Sequence, residues 1–244
     1  MQHEPDEFQE IRDAVRQLCR QFPDEYFREV DAQRAYPEAF VDALIAAGWL
    51  AAMIPEEYGG TGLGLAAASV IMEEINRAGG NAGAVHGQMY NMGTLLRSGS
   101  AAQKQKYLPD IAAGRLRIQA MAVTEPTTGT DTTKIKTTAV RKDGRWVVNG
   151  QKVWISRVQH SDLMILLART TPLAEVKKKS DGLSVFLVDL REAVGKGLQV
   201  RGIPNMVNHE TNELFFENLE IPADSLIGEE GKGFKYILDG LNAE

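Results

Sequence analysis

The sequence predicts an α+β fold, with an all-α part first and an antiparallel β part second, and three observations carry that reading. Apolar residues recur at helical spacing through the first 115 residues. Short β-rich runs separated by turn dipeptides then take over. A helical stripe returns after Gly231 and is still running at Glu244, so the chain is read as a truncated form that lacks the rest of a third, helical segment. The expected divisions are residues 1–115 for the helical domain, 116–229 for the β middle domain and 230–244 for the first helix turns of a truncated third domain.

In the first part, Ile11, Val15, Leu18, Cys19 and Phe22 line one face of a helix that Pro23 ends. Pro37 fits the first turn of a second helix bearing Phe40, Val41, Leu44 and Ile45, closed by Gly48. A third spans 65–78, with Val70, Ile71 and Ile75 inward, and stops at Gly79-Gly80. Val85, Met89, Met92, Leu95 and Leu96 mark a fourth, ending at Gly99. Ser100 and Gln103 have the spacing of a capping box for a fifth, which Pro109 is expected to kink or stop.

Strands are expected at 118–123, 135–141, 145–149, 152–156, 163–168, 183–190, 198–202 and 213–219. Asp143-Gly144 and Asn149-Gly150 fall between such runs and are the dipeptides of two-residue hairpins, so each is expected to be a turn. The segment 170–181 is polar and basic and reads as a mobile loop. Phe234, Ile237, Leu238 and Leu241 then restore helical spacing.

At 43% hydrophobic and 25% charged, the composition is that of a folded globular chain and excludes disordered or collagen-like structure. No run approaches the ~20 apolar residues that cross a bilayer. The acidic start through Glu7 lacks the features of a signal or transit peptide, so a cytoplasmic protein is the expectation. A formal charge of -6 argues against a nucleic-acid partner, and only the run 177–179 is basic. One cysteine, Cys19, rules out an intrachain disulfide framework, and His3, His86, His160 and His209 are too scattered for metal-ligand spacing.

Gly62-Leu63-Gly64-Leu65-Ala66-Ala67 matches a dinucleotide fingerprint in letters only; without a preceding strand it reads as a turn and helix start. Two other segments say more. In Met121-Ala122-Val123-Thr124-Glu125-Pro126-Thr127-Thr128-Gly129-Thr130-Asp131 a strand delivers Thr124, Pro126 turns the chain, and a Thr/Gly-rich loop offers hydroxyls and N–H groups. Such groups hold phosphate oxygens or a heteroaromatic edge, although the composition alone fits a plain polar turn as well. In Asn149-Gly150-Gln151-Lys152-Val153-Trp154-Ile155-Ser156 an indole and a hydroxyl stand at a strand end. That pairing suits a flavin, which has a flat apolar face and polar edge atoms; a strand tryptophan suits a core position too.

Together these segments resemble the acyl-CoA dehydrogenase flavoprotein family, whose signature reads approximately A-x-T-E-P-x-x-G-S-D, then N-G-x-K-x-W-I-[ST]. Ile54-Pro55-Glu56-Glu57-Tyr58-Gly59-Gly60, the stretch from Gln103-Lys104 to Tyr107-Leu108-Pro109, Glu220-Ile221-Pro222-Ala223 and Gly231-Lys232-Gly233-Phe234 extend the likeness over almost the whole chain. The resemblance implies helical, β and helical-bundle domains and bound FAD. It also implies dehydrogenation of an acyl-CoA to a trans-2-enoyl-CoA, an electron-transfer flavoprotein as electron partner, and a homo-oligomer when complete.

By the same resemblance Val123 and Thr124 bond the flavin ring with Met121 beside it, and Gly129 and Thr130 approach the pyrophosphate. Trp154 and Ser156 cover the ring and contact its N5 edge. Thr130 stands where Ser is common and Ser156 where Thr is common; both keep the hydroxyl. Substrate contacts fall to Thr130, Asn242 and the group Met89, Tyr90 and Met92, which a core reading also suits. Relatives resembling isovaleryl-CoA and long-chain acyl-CoA dehydrogenases carry a Glu just before an Arg on the first bundle helix, and Glu244 is the expected catalytic base on that match. Ile237, Leu241 and Glu244 at i, i+4 and i+7 put this carboxylate at the edge of the apolar stripe, with a solvated terminal carboxylate as the alternative. Two other functions fit the same resemblance: a non-catalytic or partner-dependent subunit of a heteromeric dehydrogenase, and a flavin oxidase on the same fold.

Overall fold

In the computed structural model, which describes residues 7–241, six α-helices precede the first strand. They are α1 (Gln9–Cys19), α2 (Asp24–Ala32), α3 (Glu38–Ala46), α4 (Leu65–Arg77), α5 (Gly83–Ser98) and α6 (Ala101–Ala112). Five follow the apolar spacing. The sixth, α2, is an addition: it has no fully buried residue and so no stripe to read. Half-buried rings hold it instead, Tyr26 and Phe27 meeting Phe22 and Phe40 edge to face with centroids 5.1–5.2 Å apart. Pro23 therefore both closes α1 and opens α2.

The capping box at α6 is present, Gln103 N–H donating to Ser100 Oγ at 3.1 Å and Ser100 N–H to Gln103 Oε1 at 2.9 Å. Pro109 does not stop this helix, which continues to Ala112. The ring removes only the bond to the carbonyl of Gln105, an exposed residue whose carbonyl water can serve, and Ala113 N–H still donates to Pro109 O at 3.0 Å.

Helix α1 lies along α4, where Glu74 is fully buried and takes Arg16 Nε at 2.6 Å and Arg12 Nη1 at 2.7 Å. Hydrogen bonding from Arg16, against the opposing effect of burial, holds the Glu74 carboxyl at about 2. A carboxyl depressed on folding stabilises above its ordinary value of 4.5 and loses that contribution as the pH falls toward about 2. Glu74→Gln should therefore lower the urea midpoint near neutral pH, with the gap to the parent closing under acid. A gap independent of pH would count against this account.

The second half comprises β1 (Ala120–Ala122), β2 (Thr138–Lys142), β3 (Arg145–Ser156), β4 (Leu163–Arg169), β5 (Leu183–Asp189), the single turn α7 (Leu190–Ala193), β6 (Leu198–Gly202), β7 (Thr211–Pro222), β8 (Leu226–Ile227) and α8 (Gly233–Leu241). One sheet orders them β6-β7-β3-β2-β4-β5-β8, with β1 added to β4. Pairing is antiparallel except for β1 on β4 and the contact of Thr138 with Arg169. Strand β4 is buried along its whole length. Met164, Leu166 and Ala168 join Trp146 and Phe186 on one face, while Leu163, Ile165 and Leu167 join Leu95, Ile111 and Ile237 on the other. Burial on both faces explains the unbroken apolar run.

Two turn expectations separate here. Asp143 and Gly144, at φ +50° and +75°, make the two-residue hairpin between β2 and β3. Asn149-Gly150 makes no turn: both lie inside β3, where the register against β7 shifts between Val148 and Gly150. Asn149 instead takes the Asn218 N–H on its Oδ1 at 2.8 Å, across the strands. The segment 170–181 is anchored, because the buried Arg169 guanidinium donates to the carbonyls of Thr133 at 2.7 Å, Asp181 at 3.3 Å and Thr171 at 3.4 Å.

Helices and sheet meet through Tyr36, whose hydroxyl donates to Gln119 Oε1 at 2.7 Å and whose ring stacks on His160 at 4.1 Å. At the far end α8 packs on α5 and β5. Cys19 is buried. Among the described residues no group of three or more His, Cys, Asp and Glu is placed to hold a metal, and no helix is long and apolar enough to cross a membrane.

Candidate functional site

Two stretches of chain meet where β1 ends. Alternation along β1 buries Ala120 and Ala122 and leaves Met121 half-buried on the other side. Val123 and the half-buried Thr124 follow, and the chain then folds back, with Glu125 N–H donating to Thr128 O and Thr128 N–H to Glu125 O, both at 3.0 Å. The neighbouring stretch is the end of β3, whose Val153 N–H donates to Thr124 O at 3.0 Å. A backbone bond thus joins the two segments that the sequence singled out.

At this junction β3 slips register against β7 between Lys152 and Ile155, and Trp154 takes φ +62° with 60% of its surface exposed. A bulky residue in the left-handed region costs ~1–3 kcal/mol, so it persists only where its surroundings enforce it. The core position that a strand tryptophan also suits is filled by Trp146, which is buried and meets Phe186 edge to face at 5.1 Å. Ser156 is half-buried and pairs with Thr211, after which Arg157 turns the chain at φ +59°.

Around the junction the backbone is open. The N–H of Thr124 donates to no backbone carbonyl among the described residues. A Cβ placed on Gly129 would meet only Thr124 Cγ2, at 4.0 Å, and Thr130 is exposed. Asp131 caps the short turn Thr132–Lys134, and its hydrogen bond from the Thr133 side chain holds its carboxyl below the ordinary value.

Behind the junction lies an ion pair that sequence reasoning gave no role. Lys152 is fully buried, and its Nζ donates to Val123 O at 2.8 Å and to Glu125 Oε1 at 3.0 Å. Burial pushes the lysine down to about 8, against the pull of the Glu125 charge. Burial raises the Glu125 carboxyl, yet the Lys152 charge and the N–H groups of Lys136 at 2.7 Å and Thr137 at 2.9 Å outweigh it and hold the group below its ordinary value. One signal was available: Trp146, Val148 and Lys152 share the inward parity of β3, and a lysine there demands a partner.

The other candidate residues separate. Met89 lies in the helical core with Val85 and Ile71. Met92 is fully buried beside Leu95 and Ile165, in the cluster against which Met121 packs. Tyr90 is buried and meets His86 edge to face at 5.1 Å. A Cβ on Gly240 of α8 would come within 2.6 Å of Thr94 Oγ1, 3.8 Å of Met121 Cε and 3.9 Å of Tyr90 O, so α8 passes directly over β1 and α5. Asn242 and Glu244 lie outside the described residues.

Comparison with known proteins gives two family-model matches, the N-terminal domain of acyl-CoA dehydrogenases over residues 5–115 and the middle domain over 120–219. Cyclohex-1-ene-1-carbonyl-CoA dehydrogenase of Syntrophus aciditrophicus is 36% identical over 222 residues, covering 88% of this chain and 51% of that protein. Mitochondrial isovaleryl-CoA dehydrogenase of Oryza sativa is 36% identical over 192 residues, 78% of this chain and 46% of its own length. The crystal structure of an acyl-CoA dehydrogenase from Geobacillus kaustophilus superposes with a TM-score of 0.88 at 31% identity, over 99% of this chain and 63% of that one. The chain spans about half the length of the curated relatives it matches.

Proposed function

Because the chain belongs to the acyl-CoA dehydrogenase family, we propose that it takes part in the FAD-dependent α,β-dehydrogenation of an acyl-CoA thioester, giving a trans-2-enoyl-CoA. The observation that carries this reading is Trp154, an indole 60% exposed at φ +62°, beside Val153, whose N–H bonds Thr124 O; the N–H of Thr124 meets no backbone carbonyl among the described residues.

The residues present fit a flavin. An exposed aromatic face, an N–H that meets no backbone carbonyl among the described residues, the hydroxyls of Thr124 and Ser156 and an open Gly129 turn are the donor set that a flat ring with a polar edge and a phosphate tail needs. Bound FAD supplies the acceptor for the hydride leaving the substrate β-carbon. The chain's own groups do the rest in this proposal. Thr124 and Ser156 hydrogen-bond the ring edge, Met121 lies beside it, and Val123 contributes backbone contact. Trp154 covers the ring and keeps water off it, and Gly129 with Thr130 receives the pyrophosphate. Thr130, Tyr90 and Asn242 are assigned to the acyl-CoA, while Met89 and Met92 are left to the two cores that bury them.

The α-proton of a thioester is weakly acidic, so its removal needs a desolvated carboxylate, and Glu244 is the residue we assign to it. An electron-transfer flavoprotein is the proposed electron acceptor.

The test is spectroscopic. The purified chain is loaded with FAD and titrated anaerobically with a panel of acyl-CoAs; bleaching of the flavin band by one of them is expected, and no bleaching by any overturns the dehydrogenase reading. Trp154→Ala should leave the thermal midpoint of the flavin-free chain nearly unchanged. It should weaken FAD binding about two- to tenfold, the loss of one stacking contact of ~0.5–1.5 kcal/mol. Equal FAD binding by the variant would remove Trp154 from the site.

A further inference from the structure

We propose that Lys152 is a positioning residue that tunes the bound flavin through the Val123–Thr124 peptide. The inference rests on the flavin reading above and extends it to a group that never touches the ring.

The peptide has two ends. Its carbonyl, Val123 O, receives the buried Lys152 ammonium at 2.8 Å. Its N–H, on Thr124, is the donor that no backbone carbonyl takes up among the described residues. In a trans peptide these groups point in opposite directions, and resonance across the C–N bond couples them. A cation on the carbonyl draws electron density from the nitrogen and makes the N–H a stronger donor, an effect of about 10–30% per bond along a hydrogen-bonded chain. The ammonium thus acts from the core side on a donor that faces the site.

The surroundings keep this arrangement fixed. Lys152 has no exposed surface, so water does not screen its charge. Glu125 holds the ammonium at 3.0 Å and is itself held by the N–H groups of Lys136 and Thr137. The next peptide is tied as well, Thr124 O accepting from Val153 N–H at 3.0 Å, which fixes Thr124 between two held peptides. Any lysine buried here needs these bonds, whereas an apolar side chain of similar length would fill the space without them, so the position keeps a charge rather than a volume.

A ring that gains electron density on reduction binds more tightly to a strengthened donor at its edge. The Lys152 charge should therefore favour reduced over oxidised flavin, raising the two-electron potential of the bound cofactor.

The deciding variant is the double replacement Lys152→Met with Glu125→Gln, which removes both charges and keeps both volumes. With FAD bound, the reduced form should lose about tenfold in affinity relative to the oxidised form, a potential lower by ~30 mV for a two-electron couple. A second readout needs no flavin: the Thr124 amide proton of the cofactor-free chain should move upfield in the double variant, while the amide of Ala120 stays in place. An unchanged potential together with an unchanged Thr124 amide leaves Lys152 a purely structural residue and overturns the proposal. If the parent chain binds no FAD, the flavin reading fails and takes the tuning of the flavin with it, whatever the Thr124 amide does.

Discussion

Lys152→Met, with Glu125 left in place, is expected to cost ~3–5 kcal/mol of stability, the usual result of stripping one partner from a buried ion pair. Glu125 is 4% exposed and its carboxylate would lose the ammonium at 3.0 Å, keeping the N–H groups of Lys136 and Thr137. These two donors do not replace a full charge at 3.0 Å. The double change Lys152→Met with Glu125→Gln should be close to neutral, because neither charge of the pair is then left buried without the other. Urea midpoints of the parent, the two single variants and the double variant form a cycle, with coupling expected between two residues in contact. Additivity of the two single effects would show that the ion pair is not what joins β1 to β3 here.

The next largest effect is expected at Gly150. Its φ of +147° lies in the region that favours glycine, and a Cβ there would sit 2.5 Å from Thr137 Oγ1, 2.6 Å from its Cα and 2.7 Å from its Cβ. Gly150→Val combines backbone strain with a clash against a neighbouring backbone, and should cost about 3 kcal/mol or more. Gly144 is the control: at φ +75° it too is left-handed, but nothing lies within 4 Å of an added Cβ. Gly144→Asn, a residue this hairpin turn accepts, should lower the thermal midpoint far less. Equal losses at both positions would mean that backbone conformation alone, not the contact with Thr137, sets the cost at Gly150.

That contrast also shows where local sequence signals stop. Asp143-Gly144 and Asn149-Gly150 are both good hairpin dipeptides, and what separates them is the partner. Lys142 faces Arg145 across the first, whereas the second faces β7, a strand that no neighbour in sequence announces. The helices were legible wherever one face is fully buried and went unread at α2, which presents only half-buried rings. Composition made 170–181 look free, because the carbonyls that accept from Arg169 are backbone atoms and have no letter of their own. The junction at the end of β1 was legible as two motifs, one holding Thr124 and one holding Trp154 and Ser156, which a backbone bond from Val153 to Thr124 joins. The Lys152–Glu125 pair behind them was not, because its meaning lies in a contact across β1 and β3 rather than in either residue.

The pairing of β3 with β7 sets a limit on how fast this chain can find its structure. It joins Arg145 to Pro222 at one end and Ser156 to Thr211 at the other, and everything from β4 to β6 must be threaded between them. A contact so far apart along the chain returns its stabilisation only after the intervening loop has closed, which makes sheets of this topology slow to form. Until β7 arrives, β3 is an unpaired edge carrying Trp146 and Val148 toward no partner, and that edge is the place where a second unfolded copy could add its own strand. Refolding yield should therefore fall with protein concentration well before equilibrium stability changes.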